Sequence, residues 1–330
     1  MPASSDQSLE SYQGSRALVL GGAGFIGRWV VRALELRGAR TVAVVRDAAA
    51  GHRALRAVGA KAKLIESDLT RLRELPGLLR RVRPTITFNL AGYGVDPSER
   101  AHELAHLINA ELPGALCKAL SGMGAQEWPG QALVHVGSAA EYGTSGGNLD
   151  EDSPARPIGL YGDTKLVGTR LLSERASRSD LRALTARLFT VYGPGEHLER
   201  LLPSLLRAAR SGQVLDLTAG SQQRDFTYVE DVAEGLLRLG ASRASPGAVI
   251  NLATGTLTSV RQFAEKAAFL LGISEELLRF GAAPSRPDEM KHDPVTISRL
   301  RDLVSWSPPT SVEDGIRRTI QLADASSHPG

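Results

Sequence analysis

The sequence predicts an α/β protein built on a doubly wound parallel sheet, followed by a smaller C-terminal α/β lobe. In the first half of the chain, short apolar runs alternate with helical patterns. The runs are continuously apolar, as expected for parallel strands that helices cover on both faces. After about residue 190, Gly and Pro become frequent and the apolar runs shorten, which indicates a second lobe.

The elements of the first half follow in order. Each predicted strand is a run of four or five residues rich in Val, Ile, Leu, Ala and Thr, and each predicted helix repeats its apolar residues every three or four positions. The predicted strands are 17–20, 41–45, 63–66, 85–89, 132–136 and 185–189. The predicted helices between them are 25–37, 48–58, 70–82 and 98–122. The second lobe contains shorter strands at 214–217 and 249–252.

Composition and charge exclude several classes of protein. The chain has 330 residues, of which 42% are hydrophobic and 23% charged, and its formal net charge is +3. The chain has no run of Lys and Arg that would predict nucleic-acid binding. Likewise, no apolar run reaches the roughly 18 residues of a membrane span. The single cysteine, Cys117, excludes an intramolecular disulfide, and we expect no metal site.

These observations predict a domain organisation. The first 14 residues are polar and lack the apolar core of a signal peptide, so we expect a flexible tail at 1–14 and a cytoplasmic protein. A cofactor-binding domain is predicted over 15–190 and a substrate lobe over 191–330, with segments that can interleave between the two.

A glycine motif joins the first predicted strand to the first predicted helix. Gly21 permits a tight turn, Gly24 lets the backbone approach a pyrophosphate, and Gly27 lets helix and strand pack closely. Phe25 and Ile26 open the helix whose N-terminus would face the phosphates. The strand–turn–helix context predicts a Rossmann domain that binds a nicotinamide dinucleotide, and the alternative is a glycine turn without a ligand.

The end of the second strand favours NADP(H). Arg46 stands where a cation can meet the additional phosphate of NADP, and Asp47 comes one position later. NAD remains possible if Asp47 binds the ribose instead.

Two further strand ends are expected at the cofactor. Asp68 and Leu69 follow the third strand, where a carboxylate could accept a hydrogen bond from the adenine amino group. The small residues after the fourth strand would let the backbone approach the cofactor; they are Leu90, Ala91 and Gly92.

A catalytic group is predicted on the helix after the fifth strand. Tyr161 and Lys165 are four residues apart and therefore share one helical face. A cation beside the phenol is expected to lower the pKa of the tyrosine and to hold the cofactor ribose. Ser138, at the end of the fifth strand, could hydrogen-bond the reacting oxygen. The three residues predict hydride transfer to or from a carbonyl carbon, with Tyr161 handling the proton.

Together these motifs resemble the extended short-chain dehydrogenases that act on nucleotide sugars. The resemblance runs from about 16 to 323 and includes Tyr192-Gly-Pro194, Arg224-Asp-Phe226 and Trp306-x-Pro308. It implies that the second lobe binds a nucleoside diphosphate sugar and that the protein is a homodimer. It further implies four substrate-binding residues: Glu141, Thr190, Arg224 and Arg286.

The subclass is predicted from the residues that follow Ser138. Dehydratases of this family carry an acid pair there, whereas this chain has Ala139 and Ala140, which argues against dehydration. The chain looks most like GDP-4-keto-6-deoxymannose reductases. We therefore expect NADP(H)-dependent reduction of the 4-keto group of a nucleoside-diphosphate-4-keto-6-deoxyhexose. The alternatives are an epimerase with tightly bound NAD, a ketone reductase of the dihydroflavonol type, and a dinucleotide sensor without catalytic activity.

Overall fold

The computed structural model describes residues 12–95, 99–124, 128–284 and 294–327. Its centre is a seven-stranded sheet in the order β10-β6-β5-β4-β1-β2-β3, in which every pairing is parallel. The strands of this sheet are β1 (Arg16–Leu20), β2 (Arg40–Val45), β3 (Lys63–Glu66), β4 (Ile86–Asn89), β5 (Leu133–Ser138), β6 (Ala183–Leu188) and β10 (Ala248–Leu252). The predicted doubly wound α/β fold is thus confirmed.

In the part of the chain that the structure describes, five further strands lie outside the large sheet. A three-stranded sheet has the order β11-β9-β7, and β8 pairs with β12. Their bounds are β7 (Thr190–Tyr192), β8 (Leu215–Leu217), β9 (Gln223–Tyr228), β11 (Leu257–Ser259) and β12 (Leu278–Phe280).

Helices cover the strands and continue into the second lobe. Those that follow the strands of the first half are α1 (Phe25–Leu36), α2 (Ala48–Arg56), α3 (Leu75–Val82), α4 (His102–Ala105), α5 (Leu112–Ser121) and α6 (Gly159–Ser179). Those of the second half are α7 (Leu201–Ser211), α8 (Val229–Ala241), α9 (Val260–Leu271), α10 (Ser298–Val304) and α11 (Val312–Ser327). A π-helical segment, His106–Glu111, joins α4 to α5. In the described ranges, no helix has both the length and the apolar character to cross a membrane.

The burial of β1 shows why its residues form a central strand. Ala17 and Val19 belong to one hydrophobic cluster, whereas Leu18 and Leu20 belong to the other. Successive side chains of a strand point to opposite faces, so β1 is buried on both sides. The continuous apolar run that ends at the glycine motif therefore forms an inner strand of the sheet, between β4 and β2.

Two expectations about the domain limits differ from the structure. Tyr12, which the sequence placed in the flexible tail, is fully buried, and its hydroxyl donates to the carbonyl oxygen of Leu237 at 2.8 Å. The strand expected at 249–252 in the second lobe is β10, which pairs with β6 at the edge of the large sheet and is thus a segment that interleaves with the first domain. In both cases the segment is buried against an element that is distant along the chain, and local sequence does not reveal such a partner.

Candidate active site

The predicted site residues lie together at the edge of the sheet that the carboxyl ends of its strands form, on three adjacent strands. Gly21 follows β1, Leu90 follows β4, and Ser138 is the last residue of β5. These strands are neighbours in the order β5-β4-β1. Ligands of doubly wound sheets bind at this edge, in the crevice outside the carboxyl ends of the strands.

The glycine motif has the geometry of a phosphate cradle. Gly21 has a φ of 72°, and a Cβ there would lie 3.0 Å from the backbone nitrogen of Ala91. A Cβ at Gly27 would collide with the carbonyl oxygen of Gly21, so helix and loop pack with no room for a side chain. Gly24 is exposed and stands as the N-cap immediately before Phe25, the first residue of α1. The exposed backbone at a helix N-terminus fits a bound dinucleotide pyrophosphate.

The structure brings Ser138, Tyr161 and Lys165 together. The side chain of Ser138 lies close enough to the phenol of Tyr161 to affect its pKa. The ammonium of Lys165 lies one helical turn further along α6, is almost fully buried, and donates to the carbonyl oxygen of Val136 at 2.8 Å. Serine, phenol and ammonium thus form one group at the end of β5.

The pKa values of this group show the effect of burial. Burial raises the pKa of Tyr161 above its ordinary value, and the nearby side chain of Ser138 opposes that rise. Burial lowers the pKa of Lys165 to about 8, against the opposing charge of Glu141. Desolvation of the phenol outweighs the nearby positive charge of Arg200, so the net pKa shift of Tyr161 is upward, whereas the lowering expected from Lys165 stays a prediction.

The structure corrects the role expected of Glu141. Its side chain has no exposed surface and forms an ion pair of 2.9 Å with Arg187. The carboxylate also accepts from the backbone N–H of Ser138 at 2.8 Å and from the hydroxyl of Thr169 at 3.1 Å. A carboxylate enclosed by three protein donors offers no oxygen to a substrate, so the prediction that Glu141 contacts the sugar does not fit its position.

Asn109 is a site residue that the sequence analysis missed. Its amide accepts from the N–H of Tyr93 at 3.0 Å and donates to the carbonyl oxygen of Tyr93 and to the hydroxyl of Thr164. It thereby fixes the segment after β4 against the helix that carries Tyr161. Asn109 lies in the π-helical segment, and π-helical turns inside helices are frequent at functional sites. A buried polar residue in an apolar helical pattern was the available signal.

The residues expected around the adenosine end of the cofactor lie at the ends of β2 and β3. Arg46 is exposed. The carboxylate of Asp47 accepts from the N–H of Ala50 and caps α2. Asp68 accepts from both the N–H and the hydroxyl of Thr70, and these bonds lower its pKa. Asp47 and Asp68 therefore already have local partners.

The other expected cofactor residues border the site at different depths. Leu90 is partly buried, Ala91 is buried, and Gly92 is exposed. A Cβ at Gly92 would lie 3.8 Å from the ammonium nitrogen of Lys165. The absence of a side chain at Gly92 thus leaves open space beside Lys165. Leu69 is partly buried next to Asp68.

The expected substrate residues of the second lobe are placed only in part. Thr190 opens β7 and pairs with Phe226 of β9, and its side chain is partly exposed. Arg224 lies in β9, where its guanidinium donates to the carbonyl oxygen of Gln223 at 2.8 Å. Arg286 lies outside the described residues. Within the described ranges, no group of His, Cys, Asp and Glu could hold a metal ion.

The fold and the site define an enzyme that uses a nicotinamide dinucleotide. Comparison with known families agrees: residues 17–253 match the model of the NAD dependent epimerase/dehydratase family. The chain belongs to this family, whose members are extended short-chain dehydrogenases.

Curated relatives with different activities are similar over nearly the whole chain. A dTDP-6-deoxy-L-talose 4-dehydrogenase (NAD(P)(+)) from Kitasatospora kifunensis is 29% identical, over 92% of this chain and 94% of the relative. A UDP-glucose 4-epimerase from Mycolicibacterium smegmatis is 28% identical, over 93% and 98%. A dTDP-4-dehydro-6-deoxy-D-allose reductase from Streptomyces bikiniensis is 26% identical, over 91% and 94%.

Solved structures agree on the fold. MoeE5, in complex with UDP-glucose and NAD, is 29% identical with a TM-score of 0.80, over 94% of this chain and 99% of MoeE5. The epimerase Mth375 from Methanothermobacter thermautotrophicus has a TM-score of 0.86 at 24% identity, over 99% of this chain and 97% of that structure, which supports the fold alone.

Proposed function

We propose that the protein uses NADPH to reduce the 4-keto group of a nucleoside-diphosphate-4-keto-6-deoxyhexose. The observation that carries this proposal is the group Ser138, Tyr161 and Lys165 with Ala139 and Ala140 beside it. Together with the hydride of NADPH, a hydroxyl, a phenol and an ammonium suffice to reduce a ketone. Elimination of water needs a further acid and base, which the two alanines do not supply.

Each side chain of the group has a separate role in the proposed reaction. NADPH, when bound, supplies the hydride. Tyr161 gives its phenolic proton to the carbonyl oxygen of the substrate, and Ser138 orients that oxygen through its hydroxyl. The charge of Lys165 stabilises the phenolate that remains. Burial keeps the phenol of Tyr161 protonated at neutral pH, which is the state that a proton donor requires.

The preference for NADP(H) is supported by the end of β2. Arg46 is exposed there, whereas the carboxylate of the neighbouring Asp47 caps α2. A guanidinium is the side chain best suited to a phosphate. The cofactor preference is measured by comparing kcat/KM for NADPH and NADH. An advantage of about tenfold or more for NADPH is expected, since a charge-assisted hydrogen bond contributes about 1.5–3 kcal/mol.

The substrate is assigned to the second lobe on the basis of chemistry and relatives. MoeE5 was solved with UDP-glucose, and two of the relatives are named for dTDP-sugars. Arg224 of β9 is the described guanidinium that we propose for the diphosphate, with Arg286 as a second contact. Thr190 is proposed to contact the sugar phosphate.

We also propose that the protein is a homodimer. The helix α6, which carries Tyr161, packs against α5, and each of the two helices has exposed residues. Val167 of α6 and Leu104 of α4 are exposed apolar residues of this region. Leu172, also on α6, is fully buried in the core and does not contribute to such an interface.

The test of the reaction uses Tyr161→Phe. Wild-type protein is mixed with NADPH and a freshly prepared GDP- or dTDP-4-keto-6-deoxyhexose, and the loss of reduced-nicotinamide absorbance is followed. We expect turnover in the wild type and a kcat reduced about 10²- to 10⁴-fold in Tyr161→Phe, since general acid catalysis contributes that much. NADPH should still bind to the variant. Turnover that persists in Tyr161→Phe would contradict the assigned proton donor.

A second candidate is a nucleotide-sugar 4-epimerase. It is favoured by the UDP-glucose 4-epimerase relative and by the NAD bound in MoeE5. It would use the same Ser138, Tyr161 and Lys165. NAD retained through purification, together with no net oxidation of NADPH, would favour the epimerase, and UDP-sugars would then be tested for interconversion at carbon 4.

A further inference from the structure

The buried carboxylate of Glu141 lies between the catalytic helix and the strand that carries Ser138. Gly137 precedes Ser138 in β5, and a Cβ there would lie only 2.6 Å from Oε1 of Glu141. The strand therefore has a glycine at the position where the carboxylate reaches in. Ser138 and Glu141 also form a capping box around the short helical turn that follows β5.

Oε1 of Glu141 connects two elements. It accepts the backbone N–H of Ser138 at 2.8 Å and the hydroxyl of Thr169 at 3.1 Å. Thr169 lies four residues after Lys165 on α6, so the two side chains share a helical face. One oxygen atom thus holds the end of β5 against the helix that presents Tyr161 and Lys165.

The other oxygen of Glu141, Oε2, forms an ion pair with an arginine of another strand. Nε of Arg187, in β6, donates to Oε2 at 2.9 Å, and both side chains are buried. The guanidinium of Arg187 in turn lies over the ring of Tyr142, 4.5 Å from its centroid. This buried ion pair fixes the position of the Glu141 carboxylate, and removing either partner would be strongly destabilising.

We propose that Glu141 is a positioning residue, which sets the location of the Ser138 hydroxyl relative to Tyr161 by accepting the Ser138 N–H and the Thr169 hydroxyl together. This proposal rests on the proposed function, because it deepens the roles given there to Ser138 and Tyr161. It differs from the substrate contact expected from the sequence, since Glu141 acts through Ser138 and α6 and does not touch the sugar.

The charge of Glu141 has a second effect on the same group. It raises the pKa of Lys165 and that of Tyr161. The charged and titratable side chains that act on these two residues or on Glu141 come from several elements; they are Glu99, His135, Glu141, Arg187 and Arg200. Replacing Glu141 by a neutral side chain removes the negative charge and leaves Arg187, so both pKa values should fall.

The test uses two single variants, Glu141→Gln and Thr169→Val. For Glu141→Gln we expect kcat to fall about 10- to 100-fold with KM for the sugar within about twofold, because misplacement of a reacting group lowers the rate of the bound complex. The alkaline limb of the kcat profile should move to lower pH. Thr169→Val removes one donor, keeps the charge and should lower kcat about 3- to 10-fold. It serves as the test if Glu141→Gln fails to fold.

The matched control is Asp231→Asn. Asp231 is also a buried carboxylate, and it also accepts one backbone N–H and one hydroxyl, both from Thr310, at 2.8 and 2.9 Å. Its replacement should leave kcat and the pH profile unchanged. A folded Glu141→Gln or Thr169→Val with wild-type kcat would overturn the proposal, and so would a raised KM with unchanged kcat, which indicates a substrate contact.

A substrate-independent measurement separates this proposal from the proposed function. The tyrosinate absorbance of wild type minus that of Tyr161→Phe reports the titration of Tyr161. A Tyr161 titration that moves to higher pH in Thr169→Val, while wild-type protein reduces no 4-keto sugar, would keep the positioning role and reject the reductase. This variant keeps the charge of Glu141 but lets the Ser138 hydroxyl, which lowers the pKa of Tyr161, move away from the phenol. An unmoved titration with active wild-type protein would reject the positioning role alone.

Discussion

At the scale of single residues, burial acts in opposite directions on the two titratable groups of the site. It raises the pKa of Tyr161 and lowers that of Lys165 to about 8, because desolvation disfavours a negative phenolate and a positive ammonium alike. At neutral pH the phenol is protonated and the ammonium is charged. The residue pair could be predicted from its spacing, but the direction of the tyrosine pKa could not, since it depends on packing.

The pH dependence of reduction follows from Lys165. A lysine is charged below its pKa, so its support of the phenolate is present at neutral pH and is lost as the pH rises through about 8. We expect kcat to fall above about pH 8. Lys165→Arg should move this limb to higher pH, since a guanidinium keeps its charge, while lowering kcat through altered geometry.

The measurement is the kcat profile with saturating sugar and cofactor. Lys118→Arg on α5 is the control, because Lys118 is exposed and its replacement should leave the profile unchanged. An alkaline limb that stays in place in Lys165→Arg would assign it to another group.

At the scale of elements, the bounds of regular strands and helices were predicted well, and the irregular pieces were not. The strand expected at 63–66 is β3 with the same limits, and the helix expected at 25–37 is α1, one residue shorter. The helix expected at 98–122 is interrupted by a π-helical segment. An additional residue in one turn barely alters an apolar pattern, so periodicity could not reveal it.

The close contact between α6 and this π-helical segment depends on a glycine. A Cβ at Gly168 would collide with the carbonyl oxygen of Asn109 and would lie 3.2 Å from Cγ of Pro113. We expect Gly168→Ala to lower the free energy of unfolding by about 1–3 kcal/mol, the usual cost of overpacking, and to lower kcat by displacing the helix that carries Tyr161.

Gly77→Ala is the control for this prediction. Gly77 lies within α3, and a Cβ there meets nothing within 4 Å. Alanine should therefore leave activity unchanged and raise the free energy of unfolding by up to about 1 kcal/mol. Denaturant unfolding of both variants gives the comparison; equal stabilities for Gly168→Ala and wild type would show that the helices separate without cost.

At the scale of the whole molecule, the sequence predicted the fold class but not every partner in space. The glycine motif and the alternating elements were sufficient for a parallel sheet. The place of β10 beside β6 was not predicted, because β10 is separated from β6 by more than fifty residues, among which lie α7, α8 and three other strands. The role of Glu141 was predicted wrongly for a similar reason, because its ion-pair partner, Arg187, belongs to β6, which is distant along the chain.

The proposed homodimer is a property of the whole molecule and predicts a specific sensitivity to charge. Val167 on α6 is 39% exposed, and Leu104 on α4, which packs against α6, is 38% exposed. A carboxylate at the centre of an apolar interface is buried without a partner, so Val167→Asp should weaken the dimer at least about tenfold. Phe269→Asp is the control, because Phe269 on α9 is an exposed apolar residue (84%) elsewhere on the surface. Sedimentation velocity should find a dimer for wild type and Phe269→Asp and a shift to monomer for Val167→Asp. A dimer that both substitutions leave intact would place the interface on another face, and a monomeric wild type would refute the dimer itself.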